Sequence, residues 1–223
     1  MLHEIVGDLV NDESINIFCH QTNCRGMMGA GIAKKIAEKY PVVQEKDTEY
    51  CKGADRTLLG TNLYIPVSKT RTCVNMYAQY NFGKTKIYTE YPKFQKCLNK
   101  LAAKLNISSE KLVVGFPARI GCGNAGGDWN IIYEKLAEFA EKVKQDVYIV
   151  APKPTNERLI SLSASFIGNS PNISNQWHDI TVLALAKSYL VTVGNVQRYY
   201  SSKEAFWKEW LSYEQVELPN FTL

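Results

Sequence analysis

Gly115-Phe-Pro-Ala-Arg-Ile-Gly-Cys-Gly-Asn-Ala-Gly-Gly-Asp-Trp129 is the stretch from which the fold is read. The apolar run from Leu112 to Phe116 predicts a buried strand. Gly121, Gly123, Gly126 and Gly127 follow closely, and Asp128 then opens a periodic helix. A strand, a glycine loop and a helix N-terminus together make a site for an anionic phosphate. Glycines let backbone N–H groups approach a ligand without a Cβ in the way, and the helix dipole favours negative charge.

Another loop of the same kind, the first in chain order, lies nearer the start of the chain. Ile15-Asn-Ile-Phe-Cys-His-Gln21 reads as a strand, and Thr22-Asn-Cys-Arg-Gly-Met-Met-Gly-Ala-Gly31 follows it. The next residues place Ile32, Ala33, Ile36, Ala37 and Tyr40 on one helical face, and Pro41 ends that helix. Neither loop carries the Lys-Ser/Thr ending of a nucleotide-triphosphatase loop or the spacing of a dinucleotide fingerprint. A lone glycine after a strand is often only a turn, so the argument rests on the pair.

Working outward, alternation of strand and helix fills residues 1–154. Candidate strands are 2–6, 15–21, 63–67, 73–79, 111–116 and 147–151; candidate helices are 31–40, 41–51, 91–105 and 128–144. Phe94, Cys97, Leu98, Leu101 and Leu105 form an apolar stripe, as do Trp129, Ile132, Leu136, Phe139, Ala140 and Val143. The pattern predicts an α/β fold with a mostly parallel mixed sheet between two helical layers. Ligands of such sheets bind at the carboxyl ends of the strands, where both glycine loops begin.

Ala151-Pro-Lys-Pro-Thr-Asn156 marks a boundary, and residues 155–223 read as a small aromatic-rich α+β extension. Strands are expected at 161–167, 180–185 and 189–193, the last two as a hairpin. A helix opening at Ser201 carries Phe206, Trp207, Trp210 and Leu211 on one face. The extension is nearly neutral, which argues against a nucleic-acid surface and leaves a protein partner as its expected contact.

Bulk properties set limits. Hydrophobic residues make up 45% of the 223 and charged residues 22%, the balance of a globular rather than a disordered chain. No apolar run reaches the roughly 20 residues of a membrane span, and the first residues lack a secretory pattern. Six cysteines without paired metal spacing fit a reducing cytoplasm and no metal site. The net charge of +4 is mild enough for an ordinary solvated surface. No cofactor is expected.

At the two loops the chain resembles the macrodomains, the family that binds ADP-ribose. The resemblance covers residues 1 to about 152 and rests on Val6-Gly-Asp-Leu9, Asn23-Cys-Arg-Gly-Met-Met-Gly-Ala-Gly-Ile-Ala33 and Arg119-Ile-Gly-Cys-Gly-Asn-Ala-Gly-Gly-Asp-Trp129. Cys19-His-Gln-Thr-Asn-Cys24 together with Ile-Gly-Cys-Gly and Gly-Gly-Asp-Trp resembles the subgroup that dephosphorylates ADP-ribose 1''-phosphate. The resemblance implies that Asp8 accepts from the adenine amine and Leu9 adds a backbone contact. It implies that Asn23 holds the distal ribose, with Gly29, Ala30, Gly31 and Ile32 around the ribose and phosphate. Gly121, Cys122, Gly123, Asn124, Ala125 and Gly126 would wrap the diphosphate.

For chemistry, the resemblance points to His20 and Asp128 as catalytic groups around the terminal phosphate. Imidazole titrates near neutrality and suits proton transfer; a carboxylate can orient water. Each also has a plainer reading, His20 as a structural hydrogen-bonder at a strand end and Asp128 as a helix N-cap. A second enzyme reading is a hydrolase that removes ADP-ribose from protein or nucleic acid. The relatives doing so use a lysine and a loop aspartate, where this chain carries Gln79 and Ala125. The third reading is a non-catalytic binder of ADP-ribose or a related signalling nucleotide.

Overall fold

The computed structural model describes residues 1–152 except Lys84, and the backbone of residues 160–164, 178–184, 189–193 and 196–200. The chain divides into two compact units, residues 1–152 and 153–223.

The first unit holds strands β1 (Leu2–Val6), β2 (Ile17–Asn23), β3 (Asn62–Pro66), β4 (Thr72–Gln79), β5 (Val113–Pro117) and β6 (Asp146–Ala151). Its helices are α1 (Gly31–Lys39), α2 (Pro41–Cys51), α3 (Tyr91–Asn106) and α4 (Trp129–Lys142). The sheet order is β1-β6-β5-β2-β4-β3. All neighbours are parallel except β3, which runs antiparallel to β4. This is the expected mixed three-layer α/β fold. β2 and β5 are adjacent, so both glycine loops leave neighbouring strands at the same end of the sheet.

The helical stripes behave as amphipathic packing requires. Phe94, Cys97, Leu98, Leu101 and Leu105 of α3 are buried, and so are Trp129, Ile132, Leu136, Phe139 and Ala140 of α4. Phe139 meets Phe116 of β5 edge-on at 5.5 Å between ring centres. On the other side, Phe18 of β2 shares a cluster with Ile36 of α1 and Val43 of α2. α2 starts with proline at its first turn, where a missing N–H costs nothing. Its buried stripe is Val43, Asp47 and Cys51, so a carboxylate sits where an apolar residue would be usual.

Strand β2 differs from its expected span. It runs to Asn23 rather than stopping at Gln21, which puts His20 in mid-strand instead of at the end. The cause is the pairing of Gln21, Thr22 and Asn23 with β4, which prolongs the ladder under a polar sequence.

The second unit contains a four-stranded antiparallel sheet in the order β10-β9-β8-β7: β7 (Ile160–Ala164), β8 (His178–Ala184), β9 (Tyr189–Val193) and β10 (Val196–Tyr200). The β8–β9 hairpin was expected; β10 was not. Gly194-Asn195 between two short alternating runs is the sequence signal for that second hairpin. The helix expected around Phe206, Trp207, Trp210 and Leu211 lies outside the described residues.

Candidate ligand-binding site

The second glycine loop begins where β5 ends. Arg119 takes a left-handed φ of 60°, unusual for a residue with a side chain, and Gly121 takes 73°. A Cβ on Gly121 would stand 2.5 Å from Gln21 Oε1, so only glycine fits there. Its carbonyl accepts from Thr89 Oγ1 at 2.6 Å and from the Gly127 amide at 2.9 Å. With that peptide fixed, the amides of Gly123, Asn124 and Ala125 donate to no protein acceptor among the described residues. Three consecutive unpaired amides are donors that an anion could take up. Around Gly123 a Cβ would meet nothing within 4 Å, so the loop faces open space.

A chain of side chains behind the loop holds it. Gln21 Nε2 donates to Gln79 Oε1 at 2.7 Å and to Thr89 Oγ1 at 2.8 Å. Gln79 Nε2 in turn donates to the Asn81 carbonyl at 2.9 Å. Residues 86–89 then pack on the loop, with the Tyr88 amide donating to the Ala125 carbonyl at 2.8 Å. Sequence reasoning passed over Thr89 and the segment 81–89 that ends on it. Its Asn, Gly, Lys and Thr content reads as a plain connection, and only the exposed apolar residues Phe82 and Ile87 hinted at more.

The first loop is organised by Asn23. Its Oδ1 accepts from the Arg25 amide at 3.0 Å and the Met27 amide at 3.3 Å, while Nδ2 donates to the Met27 carbonyl at 2.7 Å. This side chain, 5% exposed, is spent largely on its own loop rather than standing free toward a ribose. Ala30 caps α1 without a side-chain hydrogen bond. The amides of Gly29, Ala30, Gly31 and Ile32 therefore lack protein acceptors among the described residues, and all but the half-buried Ile32 are exposed.

Asp8 stands exposed just past β1. Partial burial would raise its pKa. The Asn11 side chain, the Val10 and Asn11 amides and the nearby Lys35 charge outweigh that and hold it below the usual value. Three donors occupy the carboxylate, at 3.0, 3.2 and 2.8 Å, and a carboxylate accepts about four. Leu9 is buried and its carbonyl accepts from the buried Arg71 at 3.1 Å; its amide has no protein acceptor among the described residues.

His20 sits elsewhere than expected. It is fully buried, and Nε2 lies 2.7 Å from Asn75 Oδ1 across the β2–β4 ladder. Asn75 Nδ2 donates to Asp47 at 2.8 Å, and the Tyr77 hydroxyl donates to the same Asp47 oxygen at 2.6 Å. Burial, above all, lowers the His20 pKa, although Asn75 and the Asp47 charge work against it. The imidazole thus faces the α2 layer of the core and not a ligand. Asp128 is exposed and N-caps α4, accepting from the Asn130 amide at 2.8 Å. Its own amide donates to Tyr91 Oη at 2.8 Å. Cys122 is half-buried, and burial pushes its thiol up to about 12, so it is no nucleophile near neutrality.

A mostly parallel sheet with two glycine loops at adjacent strand ends is an arrangement that solved structures share. The macrodomain of Mycobacterium tuberculosis DarG superposes with a TM-score of 0.57 at 22% identity, over 70% of this chain and 99% of that one. Thermosipho africanus DarTG in complex with ADP-ribose superposes at 0.56 and 17% identity, over 70% of this chain and 42% of that one. In sequence, an uncharacterised 17.5 kDa protein of Enterobacteria phage T4 is 30% identical over 145 residues, 63% of this chain and 90% of its own. An ADP-ribose 1''-phosphate phosphatase of Debaryomyces hansenii is 40% identical over 78 residues, 31% of this chain but only 44% of that enzyme. No protein-family model matches the chain. The chain has the macrodomain fold and belongs to one family with the phage protein.

Proposed function

We propose that the chain binds ADP-ribose across its two glycine loops and hydrolyses ADP-ribose 1''-phosphate to ADP-ribose and phosphate. The observation that carries the reading is the run of unpaired amides at Gly123, Asn124 and Ala125, beside the uncapped start of α1. The diphosphate takes the first set. Gly29, Ala30, Gly31 and Ile32 take the distal ribose and its phosphate. Asp8, with acceptor capacity left over, takes the adenine amine, and the free Leu9 amide adds a backbone contact. The partial identity to a named phosphatase supports the terminal-phosphate chemistry.

In the reaction, water attacks phosphorus, the bond to the sugar oxygen breaks, and phosphate leaves as the sugar oxygen takes a proton. Asp128 can orient the water, because capping α4 occupies only one of its oxygens. Asn23 shapes the loop beneath the ribose. His20, fully buried against Asn75, is given no contact with the ligand.

That burial also favours a second reading, a binder without turnover. Titration of the protein with ADP-ribose, followed by a phosphate-release assay on ADP-ribose 1''-phosphate, separates the two. Binding with phosphate release selects the enzyme. Binding without release selects the binder. Absence of binding removes both.

A further inference from the structure

We infer that Arg25, braced on Tyr80 at the end of the sheet, recognises a terminal phosphate monoester on the ribose distal to the diphosphate. This deepens the ADP-ribose reading and rests on it.

The first loop and the end of β4 are clamped together: the Cys24 amide donates to the Gln79 and Tyr80 carbonyls, both at 3.2 Å. Arg25 and Tyr80 are therefore neighbours by construction. The Arg25 guanidinium lies over the Tyr80 ring at 5.6 Å, and Nη1 donates to the Tyr80 hydroxyl at 3.3 Å. Arg56 lies over the same ring at 5.1 Å. The two cations differ in one respect. Arg56 is neutralised by Glu90, whose oxygens stand 2.8 and 3.0 Å from Nη2. Arg25 has no carboxylate within ion-pair distance among the described residues. Two guanidiniums and one carboxylate leave one unbalanced positive charge at the exposed rim.

Tyr80 orients the Arg25 fork without cancelling its charge. A planar guanidinium with free N–H groups matches the oxygens of a phosphate, and a dianion gains far more from it than a hydroxyl does. Arg25 also lies on the proposed distal-ribose loop, two residues past Asn23 and just before the unpaired amides at Gly29 to Ile32. The group it would meet is thus what the distal ribose carries. Discrimination between phosphorylated and unphosphorylated ligand is assigned to this residue.

The test uses the full chain, titrated with ADP-ribose and with ADP-ribose 1''-phosphate. The parent is expected to bind the phosphorylated ligand about tenfold tighter, the scale of one charge-assisted contact. In Arg25→Ala this preference should vanish while ADP-ribose affinity changes less than about twofold. Arg25→Lys should recover part of it, since a point charge replaces a fork. Where the parent turns the phosphorylated ligand over, KM in place of Kd should show the same pattern. A parent that binds both ligands equally overturns the inference and leaves the ADP-ribose reading intact. A preference that survives Arg25→Ala overturns the assignment to Arg25. A parent that binds neither ligand overturns the reading and the inference with it.

Discussion

His20 and Gln21 are adjacent on β2, and they point to opposite faces of the sheet into two different polar networks. His20 meets Asn75, Asp47 and Tyr77 beneath α2, sealed from solvent. Gln21 meets Gln79 and Thr89, and through Thr89 the carbonyl of Gly121 in the loop. The residue with the more obvious chemistry is the one sealed in the core, and the amide that draws no notice supports the glycine loop. Side-chain type suggests reactivity, but strand parity decides what a residue can reach.

The comparison predicts that the two networks fail differently. Asn75→Leu leaves the Asp47 carboxylate with one fewer donor and His20 without a partner, both deep in the core. It should cost about 3–5 kcal/mol in a denaturant titration. ADP-ribose affinity of the remaining folded protein should stay within about twofold. A variant of parental stability, or a folded one that cannot bind, would erase the distinction between the networks.

Thr89→Val should do the reverse. Thr89 is buried, but both its partners keep a second hydrogen bond and the change is close to isosteric, so stability should fall by about 1 kcal/mol. The freed Gly121 peptide would let the three amides drift, and ADP-ribose affinity should drop about tenfold by calorimetry. Thr89→Ser restores the hydroxyl and should restore binding. Equal weakening in both variants would assign Thr89 a packing role only.

The smallest expected effect is a dependence on pH. The folded protein holds His20 below its usual value, chiefly through burial. The unfolded chain therefore binds more protons as pH falls below about 6.5. The stability from His20 is present above that pH and is lost as pH falls toward the lowered folded value. Melting temperature measured between pH 8 and 5 should decline more steeply in the parent than in His20→Gln. Identical slopes would mean that the imidazole is not held neutral by the core.

Much of the fold was legible because periodic burial is written into the chain. The stripes of α3 and α4 and the apolar strand before Gly121 were readable residue by residue. β2 was read two residues too early, and Thr22 and Asn23 owe their strand geometry to β4 and not to their own preference. The loop glycines were legible as a tight loop between a strand and a helix. What Gly121 required of Gln21 and Thr89 was not, because those contacts join residues 32 to 100 positions apart in the chain. His20 was misplaced for the same reason: its partner Asn75 lies 55 residues away. β10 went unread although Gly194-Asn195 signals its turn.

The central claim is that the unpaired amides around Gly123 hold the diphosphate of ADP-ribose. Gly123→Val tests it directly, because a Cβ there meets no protein atom within 4 Å and the variant should fold like the parent. Calorimetric titration of this variant with ADP-ribose, at unchanged melting temperature, should show binding reduced by at least about a hundredfold, the loss of several charge-assisted contacts. Parental affinity in the folded variant would contradict the account.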